Sequence, residues 1–177
     1  ILQYFRNIKT LSFDCDSDSV KVVNFPINDI VNRNLRELYI QDAPYNNPAK
    51  DQFQSTQTLT SLIKNSLPNL EKLKIENILA LNSQFFEEIL DGNNKLTHVH
   101  VDDISDNFHF DERFVKDILL ARGTKLTYLK LRRVVVKIDE DMVKHLLKSH
   151  RFAYVNCKEW RNEVTLKNCK WNLADNN

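Results

Sequence analysis

Asn94–Ile104 reads N-K-L-T-H-V-H-V-D-D-I, and the reading of this stretch decides the fold. Leu96, Val99 and Val101 are apolar at the spacing L-x-x-L-x-L, while the residues between them are polar. Alternation of this kind marks a strand with one buried face. The same three-position signature stands at Ile8, Leu11, Phe13; at Leu35, Leu38, Ile40; at Leu70, Leu73, Ile75; at Leu126, Leu129, Leu131; and at Phe152, Val155, Cys157. Start-to-start spacings along the six copies are 27, 35, 26, 30 and 26 residues, the range expected of a stacked repeat architecture.

The segments between signatures repeat as well. Phe85, Phe86, Ile89 and Leu90 share their spacing with Phe114, Val115, Ile118 and Leu119, and with Met142, Val143, Leu146 and Leu147. Each set predicts one apolar stripe on a helix. Leu59, Leu62, Ile63 and Leu67 give a related stripe. Ser83, Asp111 and Asp139 are N-cap types shortly before their stripes. Gly92 and Gly123 follow stripes, where a left-handed residue is wanted, and Pro68 separates a helix from its next strand. Ile1–Phe5 reads as a helix tail, 17–33 as an irregular or one-turn connection, and 42–52, with two prolines, as a surface loop. Val164–Trp171 reads as a short extra strand closing the stack, and 175–177 as a frayed end.

Composition narrows the function classes. The 177 residues suit a single domain spanning 1–177, and a start at Ile1 rather than Met reads as a piece of a longer chain. A net charge of +1, from 25 basic and 24 acidic residues, argues against binding nucleic acid through a wholly basic surface. No apolar run is long enough for a membrane span. Three widely spaced cysteines without a C-x-x-C pair, Cys15, Cys157 and Cys169, read as free thiols of a cytoplasmic or nuclear protein. With two glycines in the chain, glycine-rich phosphate loops are excluded.

L-x-x-L-x-L followed by a helix, at 26 to 35 residues per unit over almost the whole chain, resembles the leucine-rich repeat family, in particular its intracellular ribonuclease-inhibitor-like and F-box-associated branches. The resemblance implies an α/β fold: a right-handed solenoid with a parallel β-sheet on the concave face and helices on the convex face. The chain departs from the family where the motif continues to Asn or Cys at its ninth position. Here that position holds Asp16, Ala43, Ile78, Ile104, Val134 and Trp160.

Residues flanking the signature positions are expected on the concave face. They include Tyr39; Lys72 and Lys74; His98, His100 and Asp102; Tyr128, Lys130 and Arg132; and Tyr154 and Lys158. Early strands lean acidic or neutral and late strands basic, and the tyrosines are of the kind enriched at interfaces. His98, His100 and Asp102 have a spacing that zinc accepts, but alternating polar residues on an exposed strand explain the run without metal, and no metal or cofactor is expected. The two histidines are candidates for pH-sensitive recognition. Lys137, Lys144, Lys148, His150 and Arg151 extend a basic cluster from Arg132 and Arg133 that reads as cations complementing helix C-termini. Acidic pairs such as Glu87 and Glu88 read as solvated helix faces. No nucleophile elbow or Cys–His signature is present, and Cys157 occupies a core position.

The expectation is therefore a non-enzymatic protein–protein interaction module with a protein partner on the concave sheet. The F-box likeness implies a substrate-recognition domain of a ubiquitin ligase receptor, with a Skp1-type adaptor bound by a segment preceding Ile1. The alternatives are a scaffold subunit of a nuclear or cytoskeletal complex, or a nucleic-acid-associated factor using the basic late strands.

Overall fold

A computed structural model of the chain describes residues 9–15, 31–42, 56–76, 81–92, 95–102, 108–149, 152, 154–158 and 163–167. The helix tail at 1–5, the connection up to residue 30, the loop beyond Asp42, most of the ninth-position residues, Cys169 and the chain end lie outside them. The protein is mixed α/β. Its main sheet has seven strands: β1 (Thr10–Cys15), β2 (Glu37–Asp42), β3 (Lys72–Glu76), β4 (His98–Asp102), β6 (Tyr128–Arg132), β8 (Tyr154–Lys158) and β9 (Glu163–Lys167). A two-stranded sheet pairs β5 (His109–Asp111) with β7 (Val135–Lys137). The helical segments are α1 (Thr56–Ser61) with its π-helical continuation π1 (Leu62–Ser66), α2 (Ser83–Gly92), the π-helical π2 (Phe114–Leu120) and α3 (Glu140–Lys148).

The order across the main sheet is β1-β2-β3-β4-β6-β9-β8. The first five strands are parallel and in register on their signature residues: Leu11, Leu38, Leu73, Val99 and Leu129 form one row, and Phe13, Ile40, Ile75, Val101 and Leu131 the next. Register is reinforced just before each strand. The Lys9 carbonyl accepts from the N–H groups of Arg36 and Glu37, that of Arg36 from Glu71 and Lys72, that of Glu71 from Thr97 and His98, and that of Thr97 from Thr127 and Tyr128. Two threonine hydroxyls double the ladder: Thr97 Oγ1 donates to the Glu71 carbonyl at 3.1 Å and Thr127 Oγ1 to the Thr97 carbonyl at 3.2 Å.

A parallel pair requires a long crossover, and the crossover covers one sheet face. The helical stripes form a single core with the signature rows. Phe85, Phe86, Ile89 and Leu90 are all buried, as are Phe114, Val115, Ile118 and Leu119, and Leu59, Leu62, Ile63 and Leu67. At the centre, the Phe86 and Phe114 rings meet edge to face at 5.4 Å, and Phe108 packs against both. Each fully buried Leu or Phe side chain contributes about 1.5–3 kcal/mol. Val134, the one ninth-position residue described, is buried in this core.

Several expectations are corrected. Val164 and Leu166 do lie in a strand, but β9 is inserted between β6 and β8 and is antiparallel to both. Four residues join β8 to β9, and so short a connection makes a hairpin. The sixth signature strand is thereby moved to the sheet edge. His109 lies in the short strand β5, between the buried Phe108 and Phe110. Asp111 and Asp139 cap as expected, accepting from Phe114 N and Met142 N. For α2 the cap is Asn82, one residue before Ser83. No described glycine has positive φ; Arg133 does, at 56°. Leu147 is 41% exposed, so the α3 stripe is buried chiefly through Met142 and Leu146.

Two substitutions test this account in urea unfolding. Leu129→Ala, in the middle of the signature row, is expected to cost about 2–5 kcal/mol. Arg133→Gly relieves the left-handed backbone and is expected to add up to about 1 kcal/mol; a loss of similar size would show that the arginine side chain outweighs the strain.

Candidate functional site

Strand register aligns the residues that alternate with the signature positions in three rows. The first runs Thr10, Glu37, Lys72, His98, Tyr128, Lys167, Tyr154; the second Ser12, Tyr39, Lys74, His100, Lys130, Thr165, Asn156; the third Asp14, Gln41, Glu76, Asp102, Arg132, Glu163, Lys158. All eleven sequence-predicted positions fall in these rows. Tyr154 and Lys158, however, do not adjoin Tyr128 and Arg132, because β9 intervenes and brings Lys167, Thr165 and Glu163 into the face. Sequence reasoning missed these three. Their signal is the alternation of E-V-T-L-K at 163–167, which identifies a strand but not its neighbours.

Pairing across and along the strands organises the charges. Lys72 Nζ lies 2.7 Å from Glu37 Oε1, Lys74 Nζ 2.8 Å from Glu76 Oε1, and Arg132 Nη1 2.7 Å from Asp102 Oδ2. The Tyr39 hydroxyl hydrogen-bonds Glu76 at 2.6 Å and also contacts the Gln41 carboxamide. Lys74 Nζ sits 4.5 Å above the Tyr39 ring. The expected drift from acidic to basic strands is thus largely cancelled within the face. Asp102, expected to be exposed, is buried at 9% exposure, covered by its pairing with Arg132.

Several carboxyls and imidazoles are shifted. The hydrogen bond from Lys72 holds Glu37 below the usual carboxylate range. Burial pushes Glu76 up, but hydrogen bonds from Lys74 and Tyr39 outweigh it and the net shift is downward. Desolvation, with Lys72 second, lowers His98. Desolvation first, then Lys130 and Lys74, push His100 down to about 4. Both shifts favour the neutral imidazole.

His98 is engaged in other ways. Its ring stacks on Tyr128 with centroids 5.6 Å apart, and its Nδ1 lies 2.9 Å from Thr97 Oγ1. Among the described residues, no three His, Cys, Asp or Glu side chains are placed to hold a metal ion. His100 Nε2 and Asp102 Oδ1 are buried without a hydrogen-bond partner.

Outside the face, the remaining charges serve helices. Glu87 and Asp91 both meet Arg122, linking α2 to the end of π2. Lys144 pairs with Asp141, and α3 carries Glu140 and Asp141 in its first turn and His145 and Lys148 in its last, which complements its dipole. His150 and Arg151 lie outside the described residues. No family model, no curated protein and no solved structure matches the chain.

The His100 shift makes stability pH-dependent. Its folded-state value, about 4, lies below the ordinary 6.5, so between these values the unfolded chain binds more protons and stability rises with pH. About 1–2 kcal/mol is expected to be lost on acidification through that window, the partial solvation of the ring reducing the full linkage. Urea midpoints measured across it, compared with His100→Gln, check this: a wild-type slope no steeper than the variant's would refute the assignment.

Proposed function

We propose that the chain is a right-handed solenoid of the leucine-rich type, sheet concave and helices convex, acting as a non-enzymatic protein–protein interaction module. The observation that carries this reading is the three-row polar and aromatic face, held in register by the parallel strands. Its half-buried Tyr39 and Tyr128 offer rigid amphipathic contact area. Paired charges across the strands fix side-chain positions before a partner arrives, which lowers the ordering cost of binding. No described helix is long and apolar enough to cross a membrane. The cysteine pattern supports a cytoplasmic or nuclear setting. Its most concrete version, which rests on the F-box likeness alone, is the substrate-recognition domain of a ubiquitin ligase receptor.

Site-specific photocrosslinking tests the reading. A photoreactive amino acid placed at Tyr39 or Tyr128 is expected to give adducts with one and the same protein, and none when placed at Lys144 on exposed α3. Adducts from Lys144 alone would move the interaction to the helical side. A longer form of the protein that co-purifies with no ligase adaptor would exclude the receptor version and leave the interaction module standing.

A further inference from the structure

The sheet face is not uniform, and its centre names a chemistry for the partner. Glu37 is taken by Lys72, Glu76 by Lys74 and Tyr39, and Asp102 by Arg132. Lys130 stands outside these pairs: among the described residues it forms no ion pair. It is half-buried, with His100 and Thr165 opposite it on the two flanking strands. The Thr165 hydroxyl is turned to Glu163 at 3.3 Å. His100 is kept neutral by burial and by the ammonium groups on either side, and its Nε2 has no partner. A half-buried cation without a counter-ion therefore adjoins an unsatisfied imidazole nitrogen. Among the described residues, Lys130 lacks an acceptor and His100 Nε2 lacks a partner, and an unmade buried hydrogen bond is costly.

We propose that Lys130 and His100, at the centre of the sheet face, receive the carboxylate of an aspartate or glutamate from a protein partner. The proposal rests on the interaction reading above and adds the partner's chemistry. One carboxylate oxygen accepts from the Lys130 ammonium, and the other from the His100 N–H after the ring turns about its Cβ–Cγ bond. The single positive charge of Lys130 matches a carboxylate. A phosphate carries nearly twice that charge and is best held by guanidinium forks, and Arg132 is already held by Asp102. Two residues before Lys130 on the same strand, Tyr128 stacked on His98 supplies an aromatic surface for the residues flanking the acid.

A displayed library of random short peptides, selected on the intact chain, tests this. The expected binders carry Asp or Glu at one fixed position. They lose about ten-fold or more in affinity toward Lys130→Glu and Lys130→Gln, and keep it toward Lys144→Glu. Thermal melting confirms that each variant is folded. Peptides with no acidic position, sensitive to Tyr128→Ala but indifferent to Lys130→Glu, would overturn the carboxylate proposal and leave the sheet face as the interaction surface. Phosphoserine binding about ten-fold better than glutamate at that position would overturn it equally. Binders indifferent to both substitutions, or a library that returns none, would overturn the interaction reading itself.

Discussion

One backbone carbonyl before each of the strands β1 to β4, accepting two N–H groups at the start of the next parallel strand, is the interaction on which the structure depends. It runs from Lys9 through Arg36 and Glu71 to Thr97. Because the side-chain period of a strand is two, a slip of one residue would exchange the buried and exposed rows. The ladder fixes the pairing before the strand begins, and the hydroxyls of Thr97 and Thr127 add a second bond at two of its steps. Val134, just beyond β6, is buried in the core.

The same register organises the polar face. Residues directly opposite on neighbouring strands lie within reach of one another, so rows that align leucines on one side align charges on the other. Exposed pairs of this kind contribute little stability, at most about 1 kcal/mol each. Their effect is on geometry. Lys72 and Arg132 are each held by a carboxylate of the neighbouring strand and Lys74 by one on its own strand, and the pattern leaves the centre of the face electrostatically distinct from its flanks.

Much of this was legible in the residues. The signatures at Leu35, Leu70, Leu96 and Leu126 each begin an element-forming unit whose strand and core positions agree with the structure, because alternation and the helical stripe are local patterns. Face residues from Tyr39 to Arg132 followed from the same alternation. What was not legible depends on partners distant in sequence. Asp102 is paired with Arg132, thirty residues on, and the downward shift of His100 comes first from burial and then from Lys130 and Lys74 on either side. A run such as H-V-H-V-D is identical on a solvated strand and on one flanked by cations. Small conformational choices were also hidden: Asn82 rather than Ser83 caps α2, and Arg133 rather than a glycine takes the left-handed turn.

The insertion of β9 follows from the same limits on parallel strands. A further parallel neighbour for β6 would need a crossover long enough to return to the starting edge. Phe152–Lys158 has the signature and a preceding helix, α3, so direct pairing with β6 would have continued the pattern. Yet α3 buries only part of its stripe, leaving Leu147 exposed. β9 needs no crossover: it arrives through four residues and presents Val164 and Leu166 to the rows of Leu131 and Leu129. Its position preserves the alignment of β8, so that Tyr154, Asn156 and Lys158 still share rows with Tyr128, Lys130 and Arg132, one strand further out. The antiparallel strand thus widens the polar face without adding a helix, and places Thr165 beside Lys130 where the repeat pattern would have placed Asn156.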